Sequence, residues 1–222
     1  MTSLTEQHDR IARTLYAAVL SDVMDSLGMA TQAMRPFVRP LDEELVLFGR
    51  ARTELYMPRY EVAPGEDPYE LEIALVDDLA PGDVAVFACD GPTDRIAPWG
   101  ELLSTASQVR GAAGCVTDGL VRDICRVRAM RFPVFHGGVS PLDSKGRGKM
   151  MEKDCRVFCA GVAVTPGDYV FGDADGVVLV PSGAAEEVFA RALEKVSAED
   201  RTRDELRAGR SLRDVFDSFG VL

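Results

Sequence analysis

The sequence predicts an α/β fold, a three-layer sandwich whose sheet contains both parallel and antiparallel strands. Early in the chain, strand-like and helix-like segments alternate, which is typical of parallel strands joined by helices. Late in the chain, short glycine-containing turns separate the strands, which is typical of antiparallel hairpins. The 222 residues are 46% hydrophobic, enough to bury one sizeable core. No linker, repeat or low-complexity tract divides them, so a single domain over residues 1–222 is expected.

The first predicted elements are a helix and a strand. Over residues 5–27 apolar side chains recur at helical spacing, and Gly28 follows where a helix can end. Residues 46–56 alternate as a strand. A proline-containing loop then leads to a short helix over residues 69–78 and a compact strand over residues 84–88.

The stretch of residues 99–147 is the part around which the rest of the chain is expected to be arranged. Residues 101–109 carry an apolar helical stripe, and residues 112–116 form an apolar run that predicts a strand. Thr117-Asp118-Gly119 has the composition of a turn, and a second helix is predicted to begin near Val121.

The remaining segments predict further strands and a helical tail. Strands are expected within residues 133–136, 157–164 and 169–181, and polar, glycine-rich residues 143–149 are expected to form a mobile rim. Residues 184–217 are expected to form a C-terminal helical tail, whose long amphipathic helix ends near Arg207 and closes the chain.

Two aspartate-rich loops are assigned to turn chemistry rather than to catalysis. Asp173-Ala174-Asp175-Gly176 has some likeness to a calcium loop, but the bidentate glutamate that ends such a loop is missing, so a tight hairpin is expected. Asp90 and Asp94 follow a strand in an Asp-Gly and Pro-Thr-Asp context, which turns alone explain.

Composition excludes several classes of partner. The formal charge of −11 and the pI near 4.7 argue against nucleic acid, which requires a basic face. The N-terminus lacks a signal-peptide core and no run reaches the length of a membrane span, so no membrane partner and a cytoplasmic location are expected. The five cysteines are odd in number and lie mostly in apolar runs, as buried thiols do in a reducing compartment. A zinc site is not favoured, because neither the cysteines nor His136 has a second ligand at the required spacing.

The chemistry-bearing residues lie near Arg122 and Asp123. In open α/β sheets, ligands bind beyond the carboxyl ends of strands, where helix N-termini present unpaired N–H groups. Gly100 allows a ligand to approach the backbone, and the amides of Leu102 and Leu103 would point at an anion. Arg122 can bind a carboxylate with two hydrogen bonds, while Asp123 supplies an oxygen ligand to a hard cation. A surface ion pair is the competing interpretation.

At these residues the sequence resembles the RraA-like family. The resemblance is carried by Trp99-Gly100-Glu101-Leu102-Leu103, Gly119-Leu120-Val121-Arg122-Asp123 and Phe132-Pro133-Val134-Phe135, and it extends over most of the chain through segments beginning at Asp22, Gly49, Pro81 and Gly172. That family includes metal-dependent 4-hydroxy-4-methyl-2-oxoglutarate aldolases, regulators of ribonuclease E, and proteins once mislabelled as dimethylmenaquinone methyltransferases. It has the swivelling β/β/α type of fold and forms ring-shaped trimers, sometimes stacked into hexamers.

The resemblance implies a class II pyruvate aldolase that cleaves a 4-hydroxy-2-oxo acid to pyruvate and a second oxo compound, with oxaloacetate decarboxylation as a side activity. It implies that Asp123 directly binds Mg²⁺ or Mn²⁺. It further implies that the amides of Leu102 and Leu103 hold the substrate carboxylate. Arg122 then contacts the carbonyl oxygen of this small 2-oxo acid.

Two glutamates also match positions that are acidic in the aldolases. In the aldolases an acidic residue, usually Asp, lies before the Arg-Asp pair with twenty residues between them. Glu101 occupies this position, and it is expected to orient a water ligand of the metal. Glu199 matches a C-terminal glutamate that the aldolases lend across a subunit boundary in the homotrimer or hexamer. Arg126 departs from the pattern, because the family motif tends to carry an acidic residue there.

A non-catalytic regulator that binds ribonuclease E is the alternative. The regulators commonly lack the full acidic and Arg-Asp set, whereas Glu101, Arg122 and Asp123 are all present here, so the enzyme is favoured. A methyltransferase is not favoured, because no glycine-rich dinucleotide-type loop follows the first strand.

Overall fold

The computed structural model describes residues 4–220, and the surroundings of side chains from His8 onward. The α-helices of this range are α1 (Leu4–Thr14), α2 (Ala17–Ser26), α3 (Glu70–Asp78), α4 (Glu101–Val109), α5 (Ile124–Met130), α6 (Ala185–Arg207) and α7 (Leu212–Phe219). The strands are β1 (Arg39–Pro40), β2 (Leu47–Pro58), β3 (Asp83–Ala88), β4 (Gly114–Val121), β5 (Val134–Val139), β6 (Gly148–Lys153), β7 (Val157–Cys159), β8 (Val162–Val164), β9 (Tyr169–Asp173) and β10 (Gly176–Val180).

Eight strands form one mixed sheet in the order β1-β5-β4-β3-β2-β9-β10, with β6 also paired to β2. Strands β2, β3, β4 and β5 run parallel, whereas β1, β6, β9 and β10 pair antiparallel to their neighbours. The remaining two strands, β7 and β8, form a separate antiparallel hairpin. The predicted combination of parallel and antiparallel strands is therefore confirmed.

The layers follow from the alternation of side chains along the strands. In β3, Val84 and Val86 pack with the β7–β8 hairpin on one face of the sheet. The intervening Ala85 and Phe87 pack with α3, α4 and α5 on the other face. Phe48 of β2 lies on that same face, where α1, α2 and α6 cover it. The result is the predicted β/β/α sandwich: hairpin, large sheet and helices.

The helix predicted over residues 5–27 is wrong as a single element, because α1 and α2 are separated at Tyr16. Tyr16 has extended backbone angles, and the N–H of Ala17 donates to Oδ2 of Asp173 at 2.7 Å. Asp173 is the last residue of β9 and lies beside the turn to β10, which is the tight hairpin that the sequence predicted. The Asp173 carboxylate accepts a hydrogen bond from the first turn of α2. A residue far along the chain therefore determines where α1 ends and α2 begins.

The C-terminal tail is also divided. The long helix α6 ends at Arg207 as predicted, but it does not close the chain. Gly209 adopts a left-handed φ of 89°, and Ser211 begins α7 by accepting a hydrogen bond from the N–H of Asp214 at 3.1 Å. The predicted mobile rim is likewise partly regular, since β6 begins at Gly148.

The predicted turn at Thr117-Asp118-Gly119 is the largest error, because these residues lie inside the buried strand β4. The Asp118 carboxylate accepts backbone N–H groups of Cys89 at 2.6 Å, Gly91 at 3.0 Å and Ala160 at 3.1 Å. The strand ladder to β5 is irregular at this point, and helix α5 begins only at Ile124. Asp118 is therefore a structural residue that binds two separate backbone segments, the chain after β3 and the turn between β7 and β8.

Two further sequence features have structural outcomes. No helix of the described chain is both long enough and apolar enough to cross a bilayer; the first three residues of the N-terminus examined for a signal peptide lie outside the described range. All five cysteines are free thiols: Cys89, Cys115 and Cys159 are buried, Cys155 is partly buried and Cys125 is exposed.

Removing the Asp118 carboxylate should destabilise the protein. Asp118→Ala leaves three buried or half-buried N–H groups without their acceptor, so we expect the free energy of unfolding to fall by about 3 kcal/mol or more. Asp118→Asn keeps one acceptor oxygen and should lower the free energy of unfolding by a smaller amount. Urea unfolding followed by circular dichroism measures both, with the exposed Asp94→Asn as control. Equal stability of Asp118→Ala and wild type would contradict this role.

Candidate active site

A cavity of about 320 Å³ opens at the carboxyl ends of the parallel strands β2 to β5. The segment that follows each of these strands contributes to the wall of the cavity. The lining residues are Tyr69, Glu72, Ile73, Ala97, Pro98, Trp99, Gly100, Glu101, Leu102, Leu103, Arg122, Asp123, Asp143 and Ser144. The structure thus brings together six of the seven residues that the sequence singled out, at the edge of the sheet where ligands were expected.

Trp99 fixes the start of α4 beside the end of β4. Its buried indole N–H donates to Oγ of Ser104 at 2.8 Å, and its carbonyl accepts the N–H of Arg122 at 3.0 Å. The Ser104 hydroxyl in turn donates to the carbonyl of Gly100 at 2.9 Å. These bonds hold the first turn of α4 against Arg122 and Asp123, two segments that lie twenty residues apart in sequence.

Asp123 occupies a left-handed backbone conformation with φ of 59°. Asp tolerates this region better than most residues, but an outlier of this kind is held in place by its surroundings. Its Oδ2 accepts the N–H of Glu101 at 3.3 Å. A Cβ at Gly100 would lie 2.8 Å from that same oxygen and 3.0 Å from Cγ of Arg122. Gly100 is therefore required for the close approach of Asp123 to α4.

The first turn of α4 presents backbone donors to the cavity. The amides of Leu102 and Leu103 have no partner within the helix, because only later N–H groups can bond four residues back. Gly100 at the N-cap offers no side chain to satisfy them. These two N–H groups can therefore bind an anionic group of a ligand.

Arg122 is the one cation among the described residues of the cavity wall. Its Nε lies 3.8 Å from Oδ2 of Asp123, and its Nη1 lies 3.8 Å from Oδ2 of Asp143. The Arg122 side chain is 37% exposed. It faces the cavity, and at these distances its N–H groups are not hydrogen-bonded to either carboxylate.

Sequence reasoning missed four polar residues of the wall: Tyr69, Glu72, Asp143 and Ser144. Asp143 follows β5 and accepts a hydrogen bond from the Tyr69 hydroxyl at 2.8 Å. Glu72 on α3 is only 3% exposed and accepts a hydrogen bond from the hydroxyl of Tyr56, itself fully buried on β2. A signal for Glu72 existed, since it lies on the same helical face as the buried Leu75 and Val76.

The surroundings shift the acidities of these groups in different directions. Burial raises the pKa of Glu72 to about 7, although the Tyr56 hydrogen bond opposes that rise. Burial also disfavours ionisation of Asp143, but the hydrogen bond from Tyr69 and the charge of Arg122 together bring the pKa of Asp143 below its usual value. Burial and the Asp143 carboxylate raise the pKa of Tyr69 to about 12.

The donor set fits a magnesium-like ion better than a metal that needs a full protein cage. Among the described residues, no group of three or more His, Cys, Asp or Glu side chains is arranged to hold a metal. Asp123 offers Oδ1, which accepts no hydrogen bond from the described residues, and Glu101 lies next to it on the wall. Mg²⁺ often binds through one or two carboxylates and keeps several waters. Asp123 is therefore a suitable ligand for Mg²⁺ or Mn²⁺.

Other residues considered from sequence lie away from the cavity in this chain. The Glu199 carboxylate on α6 accepts a hydrogen bond from the Tyr16 hydroxyl. Arg126 is exposed on α5, and Asp90 and Asp94 border a different surface depression. His136 lies within β5, and burial lowers its pKa. Its Nδ1 is buried and has no hydrogen-bond partner among the described residues, unlike most buried polar atoms.

Comparison with known proteins relates the chain to one family. The model of the RraA-like family, described as Aldolase/RraA, matches residues 17–179. A protein of Halalkalibacterium halodurans named "Putative 4-hydroxy-4-methyl-2-oxoglutarate aldolase" is 34% identical over 192 residues, which cover 86% of this chain and 84% of that protein.

Two solved structures are similar over nearly the whole chain. An uncharacterised protein of Pseudomonas syringae pv. tomato superposes with a TM-score of 0.80 at 27% identity, covering 92% of this chain and 94% of its own. RraAS2 of Streptomyces coelicolor, described as an unusual member of the RNase ES inhibitor RraA protein family, gives a TM-score of 0.76 at 27% identity, with coverage of 87% and 96%.

Gly100→Ala should weaken metal binding without unfolding the protein. The added Cβ would displace the Asp123 carboxylate, and disturbing the setting of a metal ligand typically costs about 10- to 100-fold in affinity. Isothermal titration of Mn²⁺ measures the loss. Gly183→Ala is the matched control, because a Cβ there meets no atom within 4 Å. Unchanged Mn²⁺ affinity in Gly100→Ala would show that the close approach is unimportant.

Proposed function

The chain belongs to the RraA-like family, and we propose that it is a cytoplasmic, divalent-metal-dependent pyruvate aldolase. Its substrate is a 4-hydroxy-2-oxo acid such as 4-hydroxy-4-methyl-2-oxoglutarate, which it cleaves to pyruvate and a second oxo compound. Oxaloacetate decarboxylation is a proposed side activity. The observation that carries the proposal is the convergence of Asp123, Arg122 and the unpaired amides of α4 on one cavity.

Both reactions break the bond between C3 and C4 and leave its electrons as the enolate of pyruvate. Mg²⁺ or Mn²⁺ held by Asp123 would supply a Lewis acid for the 2-oxo acid. The amides of Leu102 and Leu103 bind the C1 carboxylate and fix its orientation. The Arg122 guanidinium donates hydrogen bonds to the C2 oxygen, where negative charge develops as the bond breaks.

Two glutamates complete the proposed site. Glu101 borders the cavity, and its Oε1 accepts a hydrogen bond from the Thr105 hydroxyl at 3.1 Å, which limits its rotation. It can therefore orient water near Asp123. Glu199 is proposed to enter the cavity of a neighbouring subunit in a homotrimer or hexamer, since in its own chain it is held by Tyr16 outside the cavity.

A regulator of an RNA-degrading enzyme is the second candidate. It is supported by the likeness to the Streptomyces coelicolor protein, which is described as belonging to a family of RNase ES inhibitors. An inhibitor that acts only by binding has no need of a cavity with a guanidinium, a carboxylate and helix amides aimed at one point. Inhibition of a ribonuclease E preparation by the wild type and by cavity variants alike would favour this second function.

Asp123→Asn should remove most activity while the fold survives. The amide keeps the shape of the side chain but loses the negative charge that attracts the metal, so both Mn²⁺ affinity and pyruvate release should fall. Steady-state kinetics at saturating Mg²⁺ and Mn²⁺ titration are the two measurements. Asp94→Asn, an exposed change outside the cavity, should match the wild type. Equal turnover by Asp123→Asn and the wild type would remove Asp123 from the mechanism.

Replacing Arg122 should lower kcat more than it raises KM. A donor aimed at the developing enolate acts mainly in the transition state, and losing one typically costs on the order of a hundredfold, about 3 kcal/mol. Arg122→Lys should recover only part of the loss of Arg122→Ala, because an ammonium lacks the planar fork of donors. If Arg122→Ala instead raises KM with kcat unchanged, Arg122 only holds the substrate.

A further inference from the structure

Glu72 is a buried carboxyl group on the cavity wall that the proposed function has not used. We propose that Glu72 is the residue that transfers protons during aldol cleavage, with Tyr56 beneath it as a positioning residue. This inference rests on the proposed function, because it assigns a step of that reaction to the same cavity. It adds a catalytic group from a part of the chain distant from the Arg122-Asp123 motif.

One carboxyl oxygen of Glu72 is held by a hydrogen bond, and the other is available at the cavity. Its Oε1 accepts a hydrogen bond from the hydroxyl of Tyr56, a side chain with no exposed surface. Its Oε2 accepts no hydrogen bond from the described residues, and the carboxyl borders the same cavity as Arg122 and Asp123. A group held in this way has little freedom to rotate, and it keeps one oxygen available for a substrate proton.

The charges around Glu72 come from each element packed against it. Tyr56 and Glu54 lie on β2, Asp67 lies just before α3, and Asp143 and Arg122 lie across the cavity. Burial is the largest influence and raises the pKa, Tyr56 and Arg122 lower it, and Asp143 and Asp67 raise it, with a net pKa of about 7. Both protonation states of Glu72 are therefore populated near neutral pH, as a group that both accepts and returns a proton requires.

Glu54 is a second buried carboxyl group that interacts electrostatically with Glu72. Glu54 is fully buried, and neither of its oxygens has a hydrogen-bond partner among the described residues. Burial, followed by the neighbouring Glu72 carboxyl, raises the pKa of Glu54 well above its usual value. Glu54 is consequently neutral, because an isolated buried carboxylate is strongly disfavoured. The proton on Glu54 leaves Glu72 as the titrating member of the two.

The other carboxyl groups of the cavity are less suited to this role. Asp123 is the proposed metal ligand, and Glu101 is partly exposed at the rim and engaged by Thr105. Asp143 has its pKa lowered, with Tyr69 donating to it and Arg122 nearby, so it stays ionised and cannot return a proton. Glu72 is the carboxyl group of the described wall that combines burial, an unoccupied oxygen and a pKa near neutrality.

The proposed step balances without any further reactant. The Glu72 carboxylate takes the proton from the C4 hydroxyl, and the C4–O bond becomes a carbonyl as the C3–C4 bond breaks. The electron pair of that bond forms the enolate, whose oxygen charge Arg122 stabilises. After the second oxo compound leaves, the protonated Glu72 returns its proton to C3. Pyruvate is formed, and Glu72 is again a carboxylate.

Glu72→Gln tests the step, because glutamine keeps the size of the side chain and cannot accept the proton. We expect kcat for pyruvate release from 4-hydroxy-4-methyl-2-oxoglutarate to fall on the order of a hundredfold or more. Oxaloacetate has no C4 hydroxyl proton to remove, and its decarboxylation delivers no proton to Glu72 for return to C3, so that reaction should fall far less. Glu70→Gln, an exposed change on the same helix, is the control. Equal losses for both substrates would indicate a structural role and overturn the proposal.

Tyr56→Phe provides a second test if Glu72→Gln does not fold. The Tyr56 hydrogen bond stabilises the ionised form of Glu72, so its loss should raise the pKa of Glu72 and move the acidic limb of the kcat–pH profile to higher pH. An unmoved limb would contradict the proposal. Pyruvate release by Glu72→Gln with the wild-type rate and pH profile would overturn this inference alone. Failure of the wild type to release pyruvate from any substrate would overturn the proposed function and this inference together.

Discussion

The geometry of the cavity depends on three backbone hydrogen bonds to the Asp118 carboxylate. Cys89 and Gly91 donate from the chain that leaves β3, and Ala160 donates from the small hairpin beneath the sheet. Gly91 has no room for a Cβ, which would lie 1.9 Å from the carbonyl oxygen of Asp118. The chain leaving β3 leads to α4, and β4 leads to Arg122. Asp118 thus fixes the two segments whose ends form the site, as a preorganised site requires.

The cavity is acidic, and this charge is consistent with its proposed chemistry. Four carboxyl groups, those of Glu72, Glu101, Asp123 and Asp143, face the single guanidinium of Arg122 among the described lining residues. Such a wall would repel an anionic substrate if no cation were bound. A divalent cation bound by Asp123 would offset two of these negative charges while Glu72 stays ionised to accept the substrate proton. Metal binding would therefore serve both the reaction and the approach of an anionic substrate.

The sequence revealed the parts of the site that are local and missed those that are tertiary. The Trp99 to Leu103 and Arg122-Asp123 segments carry their chemistry in adjacent residues, so a pattern could identify them. Asp118-Gly119 has the composition of a turn, but its role is set by amides from Cys89 and Ala160, which no local pattern records. The break between α1 and α2 likewise depends on Asp173. The contact of Glu72 with Tyr56 joins different elements, and only the fold shows it.

The proposed reaction of this cavity is the breaking of a carbon–carbon bond to release pyruvate with the help of a divalent ion. The most direct measurement is a coupled assay for pyruvate, run on metal-depleted wild type with a panel of 4-hydroxy-2-oxo acids and oxaloacetate. We expect pyruvate release after addition of Mg²⁺ or Mn²⁺ and none in excess EDTA. Release that persists after exhaustive chelation, or no release from any member of the panel with metal present, would contradict it.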